Sequence, residues 1–161
     1  GYYGSGEAGY IAYIKDMMLK YPSSKWAIID DNGQSNTNLL APVMYTDLDG
    51  TSKPAYPAAY NSKQFGIAVN GYITGFESGN WWLPSAREMY LLIKDALLDN
   101  SDILNKTLTA ISGDKVLASG YYPWTSTEYN ADSAWIYYGT NGNLSYYIKF
   151  STNYVRSVTA F

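Results

Sequence analysis

Ser85 and Glu88 stand three residues apart at the head of an apolar run, and no other local feature constrains the fold as much. In an S-x-x-E pattern each side chain can satisfy a backbone amide that the first helical turn leaves without a partner. Ala86, Met89, Ile93 and Leu97 then recur on one helical face, with Tyr90 and Ala96 beside them. The spacing predicts a helix from Ser85 to about Asp99, ended by Asn100-Ser101. Upstream, residues 5–21 read as an amphipathic helix carrying Tyr10, Ile14, Met17 and Tyr21, capped by Ser5 and stopped by Pro22. Trp26–Ile29 reads as a short buried strand that turns at Asp30–Gly33. Residues 33–64 are polar and broken by Pro42, Pro54 and Pro57. They read as a long loop with a short helix near Ala58–Phe65, and loops of that length are often functional. Gly66–Val69 is a candidate short strand, and Leu104–Leu108 a short helical or loop segment.

Beyond Gly113-Asp114 the character changes. Eight of the eighteen tyrosines fall in residues 120–161, among repeated Asn, Ser and Thr. Ala134–Tyr138 reads as a strand, Thr140-Asn141-Gly142-Asn143 as a hairpin turn, and Leu144–Phe150 as the returning strand. Tyr154–Thr159 reads as a last strand. Helices followed by antiparallel strands make an α+β fold. A chain of 161 residues fits one domain, with 1–64 a helix, strand and long loop attached to a core spanning 65–161.

Composition removes whole chemistries. The chain has no Cys and no His, so disulfides, thiolate nucleophiles, His-ligated metals and the Ser-His-Asp triad are excluded. A net charge of -3 without a Lys/Arg run argues against nucleic acid. No stretch approaches the roughly 18 apolar residues of a membrane helix. Asp47-Leu48-Asp49-Gly50 lacks the rest of a calcium loop and reads as a solvated turn. Neither a metal nor another cofactor is expected.

Tyr gives large contact area at low entropic cost and keeps a polar tip. With Ser, Gly and Asn it makes the composition of binding surfaces. Neighbours in a strand point to opposite faces, so at least one tyrosine of each pair, Tyr137-Tyr138 and Tyr146-Tyr147, is expected at the surface. The candidate ligand-binding residues are Tyr137, Tyr138, Asn141, Asn143, Tyr146, Tyr147 and Asn153, with the 33–64 segment as the alternative location.

Four motifs occur in order: Trp82-Leu83-Pro84-Ser85-Ala86-Arg87-Glu88-Met89, Trp124-Thr125-Ser126-Thr127-Glu128, Ala134-Trp135, and Val155-Arg156-Ser157-Val158. This series, covering about residues 65–161, resembles the bacterial surface-protein family that includes the Lcl C-terminal domain. Thr125 stands where that family usually has Ser. The resemblance implies a C-type-lectin-like fold, two helices on a small twisted antiparallel sheet with long loops, and a secreted or cell-surface location. Formylglycine-generating enzymes share that fold distantly, but their cysteine chemistry is excluded here. The E-P-N, Q-P-D and W-N-D sugar triplets of calcium-dependent lectins are missing. Some lectin-like proteins carry retroelement-diversified variable regions. Between 129 and 155 only Trp135 and Lys149 lie outside the residue types that such diversification reaches from Asn codons.

The motif residues Trp82, Pro84, Ser85, Glu88, Trp124, Glu128, Trp135 and Arg156 are expected to be structural. A charge within an apolar motif needs a partner, and Glu128 is expected to pair with Arg156 or Arg87 or to accept backbone amides. The sequence therefore points to a non-enzymatic binding or adhesion module for a glycan or protein ligand at the cell exterior. The alternatives are a structural or assembly domain, for which a second copy is a candidate partner, and a carboxylate-based carbohydrate-active enzyme.

Overall fold

The computed structural model describes residues 30–66, 77–93, 106, 109–110, 120–138 and 143–160. In chain order its elements are α1 (Gly33–Leu40), β1 (Met44–Thr46), β2 (Ser52–Pro54), α2 (Pro57–Gln64), α3 (Ala86–Ile93), β3 (Trp124–Glu128), β4 (Ser133–Tyr138) and β5 (Asn143–Ile148). The α+β expectation holds. The expected elements at 5–21, 26–29 and 67–69, the continuation of α3 to Asp99, and the tip at 139–142 with Asn141 lie outside the described residues. Of Leu104–Leu108 only Lys106 is described, in helical conformation.

The alternating segments around the tip form the antiparallel pair β4–β5, from Ser133↔Ile148 to Tyr138↔Asn143. β3 joins on the other side of β4, giving the order β3-β4-β5. β4 is therefore central, and both of its faces are covered. One face carries Trp135 and Tyr137, opposite Tyr146 and Leu144, and Tyr137 lies 6.5 Å between ring centroids from Tyr90 of α3. The other face carries Ile136, clustered with Leu83 and Trp124, with Ala58 of α2, Ala134 and Tyr138 packed around them. A strand buried on both faces shows no polar alternation, which explains the run Ala134-Trp135-Ile136-Tyr137.

Two expectations are corrected. The 33–64 segment is not a long loop but a helix, a hairpin and a second helix. Its β1–β2 hairpin pairs Met44↔Pro54 to Thr46↔Ser52, and each strand has only three residues, too short for a periodic signal. The turn at Asp47–Thr51 is built by side chains. Asp49 Oδ1 accepts from the Thr51 amide (2.9 Å), Asp47 pairs with Lys53, and Gly50 takes φ +80°. The Lys53 ammonium holds the Asp47 carboxyl below its ordinary range, and the Thr51 hydroxyl does the same for Asp49. The helix expected near Ala58–Phe65 is α2, with Pro57 at its start, where a missing amide hydrogen costs nothing.

The last segment is not a continuous strand. Tyr154 bridges Pro123 and Val158 bridges Trp82. The backbone passes from the open side of β3 to the loop before α3, so it meets two partners in turn.

Candidate functional site

The first two motifs meet in one hydrogen-bonded joint. A helix start leaves its first amides without intrahelical partners, and at α3 each one is matched. The Ser85 amide donates to Glu88 Oε2 (2.8 Å) and the Glu88 amide to Ser85 Oγ (3.3 Å), completing the expected reciprocal box. The Ala86 amide donates to Thr127 Oγ1 (2.8 Å) and the Arg87 amide to the Asp30 carbonyl (3.3 Å). Thr127 Oγ1 in turn donates to Asp30 Oδ2 (2.7 Å), which also accepts from Asn36 Nδ2 of α1 (2.9 Å). The helix terminus is saturated by protein groups and offers no anion site.

The bulge in β3 makes this joint. Trp124 opposes Ile136 and Glu128 opposes Ala134, so β3 takes four steps where β4 takes two. The extra residues re-aim Thr125, Ser126 and Thr127, and all three are buried. Thr125 Oγ1 donates to the Trp135 carbonyl (2.9 Å), and the Ser126 amide donates to the Pro84 carbonyl (2.8 Å). Thr37 of α1, fully buried, clamps the other side. Its hydroxyl donates to the Leu83 carbonyl (3.2 Å) and accepts from the Leu83 amide (3.0 Å).

Beside this joint, and sharing Leu83, Thr125 and Ser126 with it, lies a groove of about 780 Å³. One wall is the β1–β2 hairpin and α2, contributing Tyr45, Ala55, Tyr56 and Ala58. The opposite wall is the sheet and the segment after β5, contributing Trp124, Ala134, Phe150 and Asn153. The Lys149 ammonium sits 5.6 Å from the Tyr56 ring centre and ties the walls together. Phe150 is 93% exposed and Tyr45 48%, so both rims present open aromatic rings. The Asn153 Nδ2 is buried with no hydrogen-bond partner among the described residues. An unmatched buried amide costs free energy unless something accepts from it.

The structure redistributes the expected binding residues. Tyr137 has no exposed surface and belongs to the core, because β4 is central rather than one-sided. Tyr138 is half-buried, edge-on to Tyr122 at 5.0 Å. Tyr146 is exposed but stacked flat on Tyr129, 4.0 Å between centroids, and Tyr147 is open. None of these four lines the groove, and Asn153 does. Asn143 contributes its backbone to β5. Tyr45, Tyr56 and Phe150 line the groove without being marked by the sequence pattern. Their walls come from segments about ninety residues apart, so only an exposed aromatic at the end of a strand, Phe150, left a local trace. Of the positions with diversified-type residues, Ser133, Ile136 and Tyr137 are buried, while Asn130, Asp132, Tyr146 and Tyr147 are open.

Among the structural residues, Trp124 and Trp135 are buried and Trp82 is half-buried, its Nε1 donating to Glu88 (3.4 Å). Pro84 and Ser85 are buried and Arg156 is half-buried. The Glu128 pairing is corrected. Glu128 pairs with Lys149, while Arg87 pairs with Asp31 at 3.2 Å. The Glu128 side chain is 59% exposed, and surface pairs contribute little. Glu128→Ala is therefore expected to cost no more than about 1 kcal/mol in urea unfolding.

No helix among the described residues is long and apolar enough to cross a membrane, and no group of three acidic side chains there could hold a metal ion. Comparison with protein-family models, with curated proteins and with solved structures gave no match.

Proposed function

We propose that this chain is a non-enzymatic recognition module of a bacterial surface or secreted protein, and that its ligand sits in the groove between the hairpin–α2 wall and the sheet. The observation that carries this reading is the groove itself. Its volume of about 780 Å³ falls in the range of about 300–1,000 Å³ typical of ligand pockets. It is mostly apolar, with open aromatic rings at its rims. The location and a C-type-lectin-like form of the α+β fold are read from the four ordered motifs.

Recognition is favoured over catalysis by the state of the acids. Glu128 and Asp132 both reach the groove. Both are exposed, and Glu128 is engaged by Lys149. Glycoside hydrolysis needs two carboxyl groups facing each other across the bond to be cleaved, in differing environments. The ligand is therefore expected to be recovered unchanged.

The test is an array of glycans and proteins probed with the chain and its variants. Phe150→Ala and Tyr45→Ala should each weaken binding by about tenfold or more, as aromatic anchors do. Tyr146→Ala and Tyr147→Ala should leave it within about twofold. Loss that follows the two tyrosines instead would refute the groove as the site.

Assembly is the second reading, and one observation favours it. Among the described strands β5 lies at an edge without charge or proline, and Tyr146, Tyr147 and Ile148 on it are about half exposed. Such edges pair readily with other strands. Sedimentation separates the readings, since assembly requires a stable oligomer without ligand.

A further inference from the structure

The tyrosine pairs in ring contact differ in what their geometry allows. Tyr90 and Tyr137 are buried, with 6.5 Å between ring centres. Tyr122 and Tyr138 meet edge to face, at 76°. Tyr121 and Tyr154 stack at 4.5 Å with a 27° tilt, and Tyr121 is buried. Tyr129 and Tyr146 stack at 4.0 Å with only 3° between their planes. Tyr146 is 46% exposed and Tyr129 is half-buried, so water and dissolved oxidants reach this pair. Trp135, buried beneath, stands edge-on to both rings, at 5.0 Å from Tyr129 and 6.1 Å from Tyr146. It keeps them from parting inward.

Loss of one electron and the phenolic proton turns a tyrosine into a neutral phenoxyl radical. Its spin density lies on the oxygen and on the ring carbons ortho and para to it, in orbitals perpendicular to the ring. In a parallel stack those orbitals point at the neighbouring ring. In an edge-to-face pair they point past it. Two radicals held face to face couple in an effectively unimolecular step.

We propose that Tyr129 and Tyr146 are the site of an oxidative cross-link, a carbon–carbon bond between their ortho carbons. The co-reactant is a one-electron oxidant, a haem peroxidase with hydrogen peroxide. Each phenol gives up one electron and its phenolic proton. The ortho carbons join, and the hydrogens they carried move to the phenolic oxygens, which restores both aromatic rings. In sum the pair loses two electrons and two protons, and these reduce one hydrogen peroxide to two waters. The bond is independent of the groove, since none of the three rings lines it.

The link does for β5 what a disulfide does elsewhere. β5 lies at an edge of the described sheet. Tying Tyr146 to Tyr129, just beyond β3, closes a ring of chain that contains all of β4. A closed ring leaves the unfolded chain fewer conformations. Small secreted domains commonly take such staples as disulfides, a route closed to a chain with eighteen tyrosines and no cysteine.

The experiment treats the chain, at high dilution, with a haem peroxidase and hydrogen peroxide. Dityrosine fluorescence, intact mass and peptide mapping are read on the monomer fraction. The monomer should lose the mass of two hydrogens, with the link mapped to Tyr129 and Tyr146. Tyr129→Phe and Tyr146→Phe keep both rings and remove one phenol, so each should lower the monomer's fluorescence by about tenfold or more. Tyr147→Phe, at a neighbouring side chain that is 47% exposed, should leave it unchanged. The linked monomer should unfold at a higher urea concentration than the untreated chain. Links found only between chains, or mapped to Tyr121 and Tyr154, overturn the assignment. An unchanged urea midpoint of the linked monomer overturns the stapling role and leaves the bond.

Discussion

Replacing Gly33 by alanine is expected to lower stability by about 3 kcal/mol, a large part of what holds a domain of this size together. Gly33 opens α1 at the point where that helix presses on the start of α3. A methyl group there would lie 2.0 Å from Glu88 Oε2, 2.7 Å from the Ser85 amide nitrogen and 3.0 Å from Trp82 Cδ1. The carboxylate could swing away, but it would abandon the Ser85 amide and the Trp82 indole. The amide nitrogen is backbone and cannot move without shifting α3. The expected loss therefore combines overpacking with the loss of a helix cap, worth about 1 kcal/mol alone. Urea unfolding measures it. Glu88→Ala in the Gly33→Ala background should cost less than the two changes separately, because the worst contact has already gone. Strict additivity would mean that the two elements do not press on each other.

Thr37→Val is the second large effect. Valine keeps the shape of threonine and removes only the hydroxyl, so packing is unchanged. The Leu83 amide and carbonyl then lose their partner at a fully buried position. At about 1–3 kcal/mol for each buried group left unmatched, the expected destabilisation is about 2–4 kcal/mol. Thr37→Ser keeps the hydroxyl, loses one methyl group and should cost only about 1 kcal/mol. A valine variant as stable as the serine variant would show that water replaces the hydroxyl.

These two residues also mark where the sequence became hard to read. The capping box was legible because both partners lie within four residues of chain. The β4–β5 pair was legible because an Asn-Gly tip joins two segments of matching length. α1 was not, since its sequence Gly-Gln-Ser-Asn-Thr-Asn-Leu-Leu carries little apolar periodicity. It is held instead by Thr37 and Asn36, whose partners lie 46 and 90 residues away. The Glu128 partner is not legible in the motifs, because it is not a motif arginine but Lys149, delivered by the turn after β5. Tyr137 was misplaced for a similar reason. Whether a strand is covered on one face or on two depends on the helices above and below it.

The bulge in β3 has a consequence for how such a module can change. It directs the Thr127 hydroxyl to the first amide of α3 and the Thr125 hydroxyl to the Trp135 carbonyl of β4, and leaves Ala134 opposite Glu128 beside the groove. Leu83, Thr125 and Ser126 belong to the contacts that keep the chain folded and also line the groove, whereas Tyr45 and Phe150 stand exposed at its rims, apart from them. Exchanges at the exposed rim residues Tyr45 and Phe150 can reshape the groove without reaching those contacts, so specificity can drift there while the scaffold stays as it is.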